Sequence, residues 1–286
     1  MITPKSLTAG SKVALVAPAK KILFDEISFA IDYIRERGFI PVYDERLFIE
    51  HNQFAGNDDE RAAVLQYYLD DYDIDAIMCV RGGYGTVRII DKLNFDKFLQ
   101  NPKWIVGYSD VTVLHCKLQS LGVESLHATM PINFPTNTIE SLDTLFDALM
   151  GKEVTYDYPE SPYSIKGETE GIIVGGNISV LYSLLGSDIF PDTKDKILFI
   201  EDLDEYLYHI DRMMMAFERA GVLDEIRGLV VGGLTKMHDN AVPFGKTAEE
   251  IIQEKVNGKN IPVIFNFPAG HVNDNRAIVL GRNFKM

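Results

Sequence analysis

The sequence predicts an α/β protein in two parts: a mostly parallel sheet flanked by helices, followed by a smaller, β-rich α/β domain. Three observations predict it. Through residues 1–150, short apolar runs alternate with amphipathic helical patterns, and right-handed crossovers turn such alternation into a parallel sheet covered on both faces. Residues 151–168 carry Pro, Tyr, Ser, Lys and Glu with no period, as a linker would. From 169 to 286 apolar runs resume, repeatedly followed by glycine. A length of 286 residues suffices for two ordinary domains.

Each element has its own signal. Residues 12–17, Lys-Val-Ala-Leu-Val-Ala, read as a buried strand. The spacing of Ile27, Ala30, Ile31 and Ile34 marks one helix face, and Gly38 ends that helix. Residues 39–43 form a second strand. Asp58-Asp59-Glu60 opens another helix, where acids suit the dipole. Strands three to five are expected at 76–80, 104–106 and 123–126. In the second part a strand at 171–174 precedes a Gly175-Gly176-Asn177 turn and a helix through Leu185. A strand at 196–200, a helix at 209–220 ended by Gly221, a strand at 228–231 with Gly232-Gly233 after it, and a strand at 261–265 follow. In parallel sheets functional residues sit at the carboxyl ends of strands. Ser109 and the Arg81-Gly82-Gly83-Tyr84-Gly85 loop lie at such ends.

Composition narrows the function. A net charge of −14 argues against binding nucleic acid or an anionic membrane, since both require a basic surface. No apolar run approaches a membrane span. Residues 13–17 are too short and too soon broken by Pro18 to form a signal-peptide core, so a cytoplasmic protein is expected. Cys79 and Cys116 both lie in apolar contexts and read as free thiols. No cysteine pair or His-x-x-x-His spacing marks a zinc site, and no metal or organic cofactor is expected.

Four places carry chemistry. Gly107-Tyr108-Ser109-Asp110 ends an apolar run and opens a helix, as in a strand-turn-helix elbow that exposes a serine beside free N–H groups. The full elbow has a second glycine where this chain has Val111, and Ser109 or Asp110 alone also reads as a helix cap. The glycines at 82, 83 and 85 let backbone N–H groups face an anion, or simply make a tight turn. The 201–205 segment Glu-Asp-Leu-Asp-Glu ends a strand in four carboxylates, which could orient a histidine, hold a hard cation, or face solvent. His271 stands in the polar loop Gly270-His271-Val272-Asn273, where an imidazole can serve a serine as base. His127 ends a strand and could line the cleft. Serine, acid and histidine each follow an apolar strand in the order found in α/β-hydrolases.

These motifs together resemble the LD-carboxypeptidases, serine peptidases of the S66 type that include murein tetrapeptide carboxypeptidases and microcin C immunity peptidases. The resemblance spans nearly the whole chain. It rests on Val16-Ala17-Pro18-Ala19, Arg81-Gly82-Gly83-Tyr84-Gly85, Gly107-Tyr108-Ser109-Asp110 and Gly175-Gly176-Asn177-Ile178-Ser179. Leu198-Phe199-Ile200-Glu201-Asp202, Asp211-Arg212-Met213 and Phe267-Pro268-Ala269-Gly270-His271 complete it. It implies Ser109 as nucleophile, His271 as general base and Glu201 as the acid that orients it. An oxyanion hole from the N–H groups of Gly83 and Asp110, a cleft between two domains, and a homodimer are implied as well.

The implied substrate is a murein peptide that loses a terminal D-alanine. Arg81 is the candidate for its free carboxylate, unless it is tied structurally to a nearby acid, and Tyr84 is a candidate pocket wall. Two departures stand out. His127-Ala128-Thr129-Met130 replaces a His-Gly-Pro-Met type sequence, and relatives continue through another strand after Gly281, so the second core is expected to be less complete. Two other functions fit the same residues. A microcin-type peptidase would cleave peptidyl nucleotides and carry an aromatic stacking residue, against which the only tryptophan, Trp104, sits in a strand. A non-catalytic binding protein would hold its ligand between the domains.

Overall fold

A computed structural model describes residues 1–286. The first sheet has six strands in the order β10-β5-β4-β3-β1-β2. They are β1 (Lys12–Val16), β2 (Ile40–Val42), β3 (Ala76–Cys79), β4 (Trp104–Gly107), β5 (Ser125–His127) and β10 (Ile278–Leu280). All neighbours are parallel except β10, which runs antiparallel to β5. Between them lie α1 (Phe24–Glu36), α2 (Asp58–Asp70), α3 (Asp96–Gln100), α4 (Thr112–Ser120) and α5 (Ile139–Leu149). The acidic start of α2 is a reciprocal cap. Asn57 Oδ1 accepts from the N–H groups of Asp59 and Glu60, while Glu60 Oε2 accepts from the Asn57 N–H.

The second sheet has five strands in the order β11-β6-β7-β8-β9. Its strands are β6 (Glu170–Asn177), β7 (Ile197–Leu203), β8 (Gly228–Thr235), β9 (Val263–Ile264) and β11 (Asn283–Lys285). It is covered by α6 (Ile178–Leu184), α7 (Leu207–Arg219), α8 (Val222–Glu225) and α9 (Ala248–Val256). No helix is long and apolar enough to cross a membrane.

The period of two along each strand divides the core. Val13, Leu15, Met78 and Val106 face α1 and α5, whereas Ala14, Val16, Ile77 and Ile105 face α2 and α4. This second face continues without a break through α4 and α6 into Leu198, Ile200, Leu229 and Val231 of the second sheet. The two halves therefore share one apolar core, and burying it fixes the cleft that opens above it.

Three expectations from sequence need correction. Gly175-Gly176-Asn177 is not a turn but the end of β6, with φ of +128° and +146° at the glycines. A Cβ at 175 would lie 2.0 Å from the Phe199 carbonyl oxygen, and one at 176 would lie 2.5 Å from Thr112 Oγ1. Close approach of β7 and α4, not chain reversal, demands glycine there. Gly232-Gly233 likewise lies inside β8. There a Cβ would meet the Ala269 carbonyl oxygen at 2.5 Å and Val272 Cγ1 at 2.6 Å, so these glycines let the 267–272 loop lie on the sheet. The second core is also not left open at the chain's end, because β11 pairs antiparallel with β6.

Candidate active site

Ser109 sits where β4 gives way to a turn of 3-10 helix leading into α4. Its φ is +63°, a left-handed conformation that costs a non-glycine residue about 1 kcal/mol and turns the hydroxyl away from the strand. Gly107 explains Val111. A Cβ at 107 would lie 2.9 Å from Val111 Cγ2, so the valine fills the space left by the first glycine. Gly82 makes the second close approach, since a Cβ there would stand 3.3 Å from Ser109 Oγ. Asp110 is buried, and its Oδ2 accepts from Thr86 N at 2.8 Å and Thr86 Oγ1 at 2.6 Å. That clamp ties the Gly loop to the turn. The N–H groups of Gly83 and Asp110 donate to no acceptor within the protein.

Glu201 and His271 form a buried pair. Glu201 on β7 has no solvent exposure, and its Oε2 accepts from His271 Nδ1 at 2.6 Å and from the His271 backbone N–H at 3.1 Å. Gly270 permits this, because at φ +97° a Cβ would lie 2.5 Å from Glu201 Oε2. Asn275 Oδ1 holds the Gly270 N–H at 2.8 Å. The Tyr108 ring packs edge-on against the imidazole, with centroids 4.8 Å apart, and its hydroxyl donates to Asn133 Oδ1 at 3.1 Å. Burial alone would lower the His271 pKa, but the Glu201 carboxylate outweighs it by charge and hydrogen bond and holds it above the ordinary value. Nδ1 is thereby the protonated nitrogen of the neutral ring, leaving Nε2 to the cleft as an acceptor.

The four carboxylates of 201–205 go to different partners. Asp202 points away from Glu201, accepting from Asn177 Nδ2 and Leu203 N on one oxygen and from Ser179 N on the other. Burial, then the neighbouring Glu201 charge, push its pKa up to about 7. Asp204 pairs with His238 at 2.5 Å and Glu205 with His209 at 2.5 Å. No cluster of three potential metal ligands forms anywhere in the chain. Cys79 and Cys116 are free and buried.

Ser109, Asp110, Gly83, Arg81 and His271 all line one cleft of about 410 Å³ between the two sheets, with Lys20, Tyr108, Asn133, Asn177 and Ser179. Ser109 and His271 share this cleft without a hydrogen bond between them. Glu201 lies beneath it. Arg81 is tethered, its Nη1 donating to the Lys21 carbonyl at 3.2 Å and lying 3.5 Å from Glu26 Oε1. Tyr84 is not brought to the cleft. It is half exposed and leans on Phe54, 6.3 Å between centroids. His127 is fully buried behind Tyr108 and Phe199, and burial followed by the nearby His115 and His271 keep its pKa well below the ordinary value. Trp104 is buried in β4, its indole N–H donating to the Lys5 carbonyl. Sequence reading missed Lys20 and Tyr108, although both lie beside strand ends, where the parallel-sheet rule points.

Comparison with known proteins gives a consistent neighbourhood. The family model described as the LD-carboxypeptidase N-terminal domain matches residues 13–128, and the one described as the LD-carboxypeptidase C-terminal domain matches residues 170–286. A probable murein peptide carboxypeptidase of Bacillus subtilis is 32% identical, covering 99% of this chain and 91% of its own. The crystal structure of muramoyltetrapeptide carboxypeptidase from Oxalobacter formigenes superposes with a TM-score of 0.86 at 26% identity, covering 96% of this chain and 94% of that one. The microcin C7 self immunity protein MccF, solved with aspartyl sulfamoyl adenosine, shares the fold at a TM-score of 0.89 and 20% identity, covering 100% and 96%.

Proposed function

The chain belongs to the LD-carboxypeptidase family, and from that premise we propose that it is a serine-type carboxypeptidase releasing the terminal D-alanine of a murein tetrapeptide. One observation carries the reading: the buried Glu201–His271 pair presents a free Nε2 to the same cleft as the left-handed Ser109.

In this mechanism Ser109 Oγ attacks the carbonyl carbon that joins an L-centre to the D-residue, and His271 Nε2 takes the hydroxyl proton. Negative charge gathers on the carbonyl oxygen, where the unengaged N–H groups of Gly83 and Asp110 can meet it. The imidazolium forms against the Glu201 carboxylate, which stays ionised. It returns the proton to the departing amine of D-alanine, leaving an acyl-Ser109 ester. Water then adds to the ester carbonyl, giving its proton to His271, and Ser109 leaves with that proton restored. Approach of Ser109 to His271 accompanies substrate binding, as hydrogen bonds of unliganded catalytic sites commonly tighten on loading.

The nucleotide-cleaving alternative, carried by the likeness to MccF, would call for an exposed aromatic in the cleft, whereas Tyr108 is buried against His127 and His271. The fully buried thiols suit a reducing cytoplasm, where recycled murein peptides would be met. The test is release of D-alanine from murein tetrapeptide by the intact protein, with Ser109→Ala as control. Ligand binding without release would return the chain to the class of binding proteins.

A further inference from the structure

An enzyme that trims one residue from a chain end has to recognise the end itself. Besides His271, five charged residues line the cleft: Lys20, Arg81, Asp110, Asp202 and Asp204. Four of them are engaged. Arg81 is held by Glu26 and the Lys21 carbonyl, Asp110 by Thr86, Asp202 by Asn177 and Ser179, and Asp204 by His238. Lys20 alone makes no ion pair and no side-chain hydrogen bond. Its stem crosses the face of Gly83, since a Cβ built there would lie 2.5 Å from Lys20 Cδ and 2.8 Å from Cε. The ammonium therefore stands at the end of the cleft that holds the unengaged Gly83 N–H.

Covalent geometry connects that position to a ligand. In any peptide the terminal carboxylate carbon lies about 3–4 Å from the preceding carbonyl carbon, and each added residue shifts it by up to about 3.8 Å. A cation anchored on the glycine next to the reacting carbonyl can therefore reach a carboxylate one residue along, but not one several residues along. We propose that Lys20 is the specificity residue that binds the free α-carboxylate of the leaving residue and restricts cleavage to the last amide. This rests on the carboxypeptidase reading, and it moves the carboxylate contact from Arg81, whose charge Glu26 already offsets. An uncompensated ammonium also counters the net charge of −14 where an acidic substrate must enter.

The test separates binding from turnover. In the Ser109→Ala protein, calorimetry compares murein tetrapeptide with its C-terminal amide. The expected result is about 10- to 100-fold tighter binding of the carboxylate, as for a hydrogen-bonded charge. Lys20→Met should abolish that preference without weakening the amide, and Lys20→Arg should retain it. A preference that survives Lys20→Met overturns the assignment, and one lost instead in Arg81→Met returns the role to Arg81. Equal binding of the two peptides by the Ser109→Ala protein overturns it as well. D-alanine release by the unmutated enzyme is scored separately. Its absence alongside a Lys20-dependent preference would sink the hydrolase and leave the carboxylate site standing.

Discussion

Replacing Glu201 by glutamine removes one charge from the centre of the site and changes its volume hardly at all. The carboxylate is fully buried, and its Oε2 lies 2.6 Å from His271 Nδ1. With charge centres about 4 Å apart and an effective dielectric of about 20, the pair contributes about 4 kcal/mol to a protonated imidazole. On the pH plateau the imidazolium forms only during proton transfer, so the loss falls on the transition state and lowers kcat on the order of 10³-fold. A second effect has the opposite sense along the pH axis. Glu201 is what raises the His271 pKa, while burial lowers it. Without that charge burial outweighs the smaller pull of Asp202, and the acid limb of kcat/KM moves to lower pH even as the plateau falls. Initial rates of D-alanine release between pH 4 and 9 measure both. A plateau within about threefold of the native rate, or an acid limb that stays in place, would refute the coupling of Glu201 to His271.

Ser109→Ala should lower turnover on the order of 10⁴-fold or more while circular dichroism and melting stay native-like, and undiminished activity would remove the nucleophile from the mechanism. Gly270→Ala should cost about 1–3 kcal/mol in urea unfolding and most of the activity, because its Cβ would lie 2.5 Å from Glu201 Oε2 at φ +97°. Asp202 gives a pH signature. Its folded pKa of about 7 exceeds the unfolded value near 4, so the folded state binds the extra proton between them. Its stabilisation is complete below about pH 4 and is lost as pH rises through 7. The melting temperature of the native protein relative to Asp202→Asn should therefore fall as pH rises from about 4 through 7, and a difference that does not change with pH would contradict the shift.

Much of the fold is legible because buried parallel strands leave continuous apolar runs, as at Ala76–Cys79 and Ile197–Leu203. The failures have one physical source. Glycine pairs read locally as turns, yet Gly175-Gly176 and Gly232-Gly233 are required by Phe199, Thr112, Ala269 and Val272, none of them a sequence neighbour. Strands of three residues such as Ile278–Leu280 carry too little pattern to be recognised. In the site, Ser109, Glu201 and His271 each follow an apolar run, so chain order could align them. Lys20 belongs to no motif, and its meaning depends on Glu26 having claimed Arg81, which only three dimensions disclose. Tyr84 shares a loop with Gly83 but is drawn off towards Phe54.

The strand Ile278–Leu280 has a consequence for synthesis. Its partners, Ser125 to His127, lie more than half the chain away, and every element of the second sheet except β11 is made in between. Until those three residues leave the ribosome, β5 offers a bare edge to any passing strand, a recognised hazard for aggregation. The same late arrival ties the His271 loop, a few residues upstream, back to the half that bears Ser109. Three covalent crossings then join the halves, from β5 to β6, from β9 to β10 and from β10 to β11. A nascent chain that already holds every candidate catalytic group still lacks the antiparallel partner of β5. Removing residues 276–286 should thus weaken a site none of whose candidate groups it removes, read as slower D-alanine release.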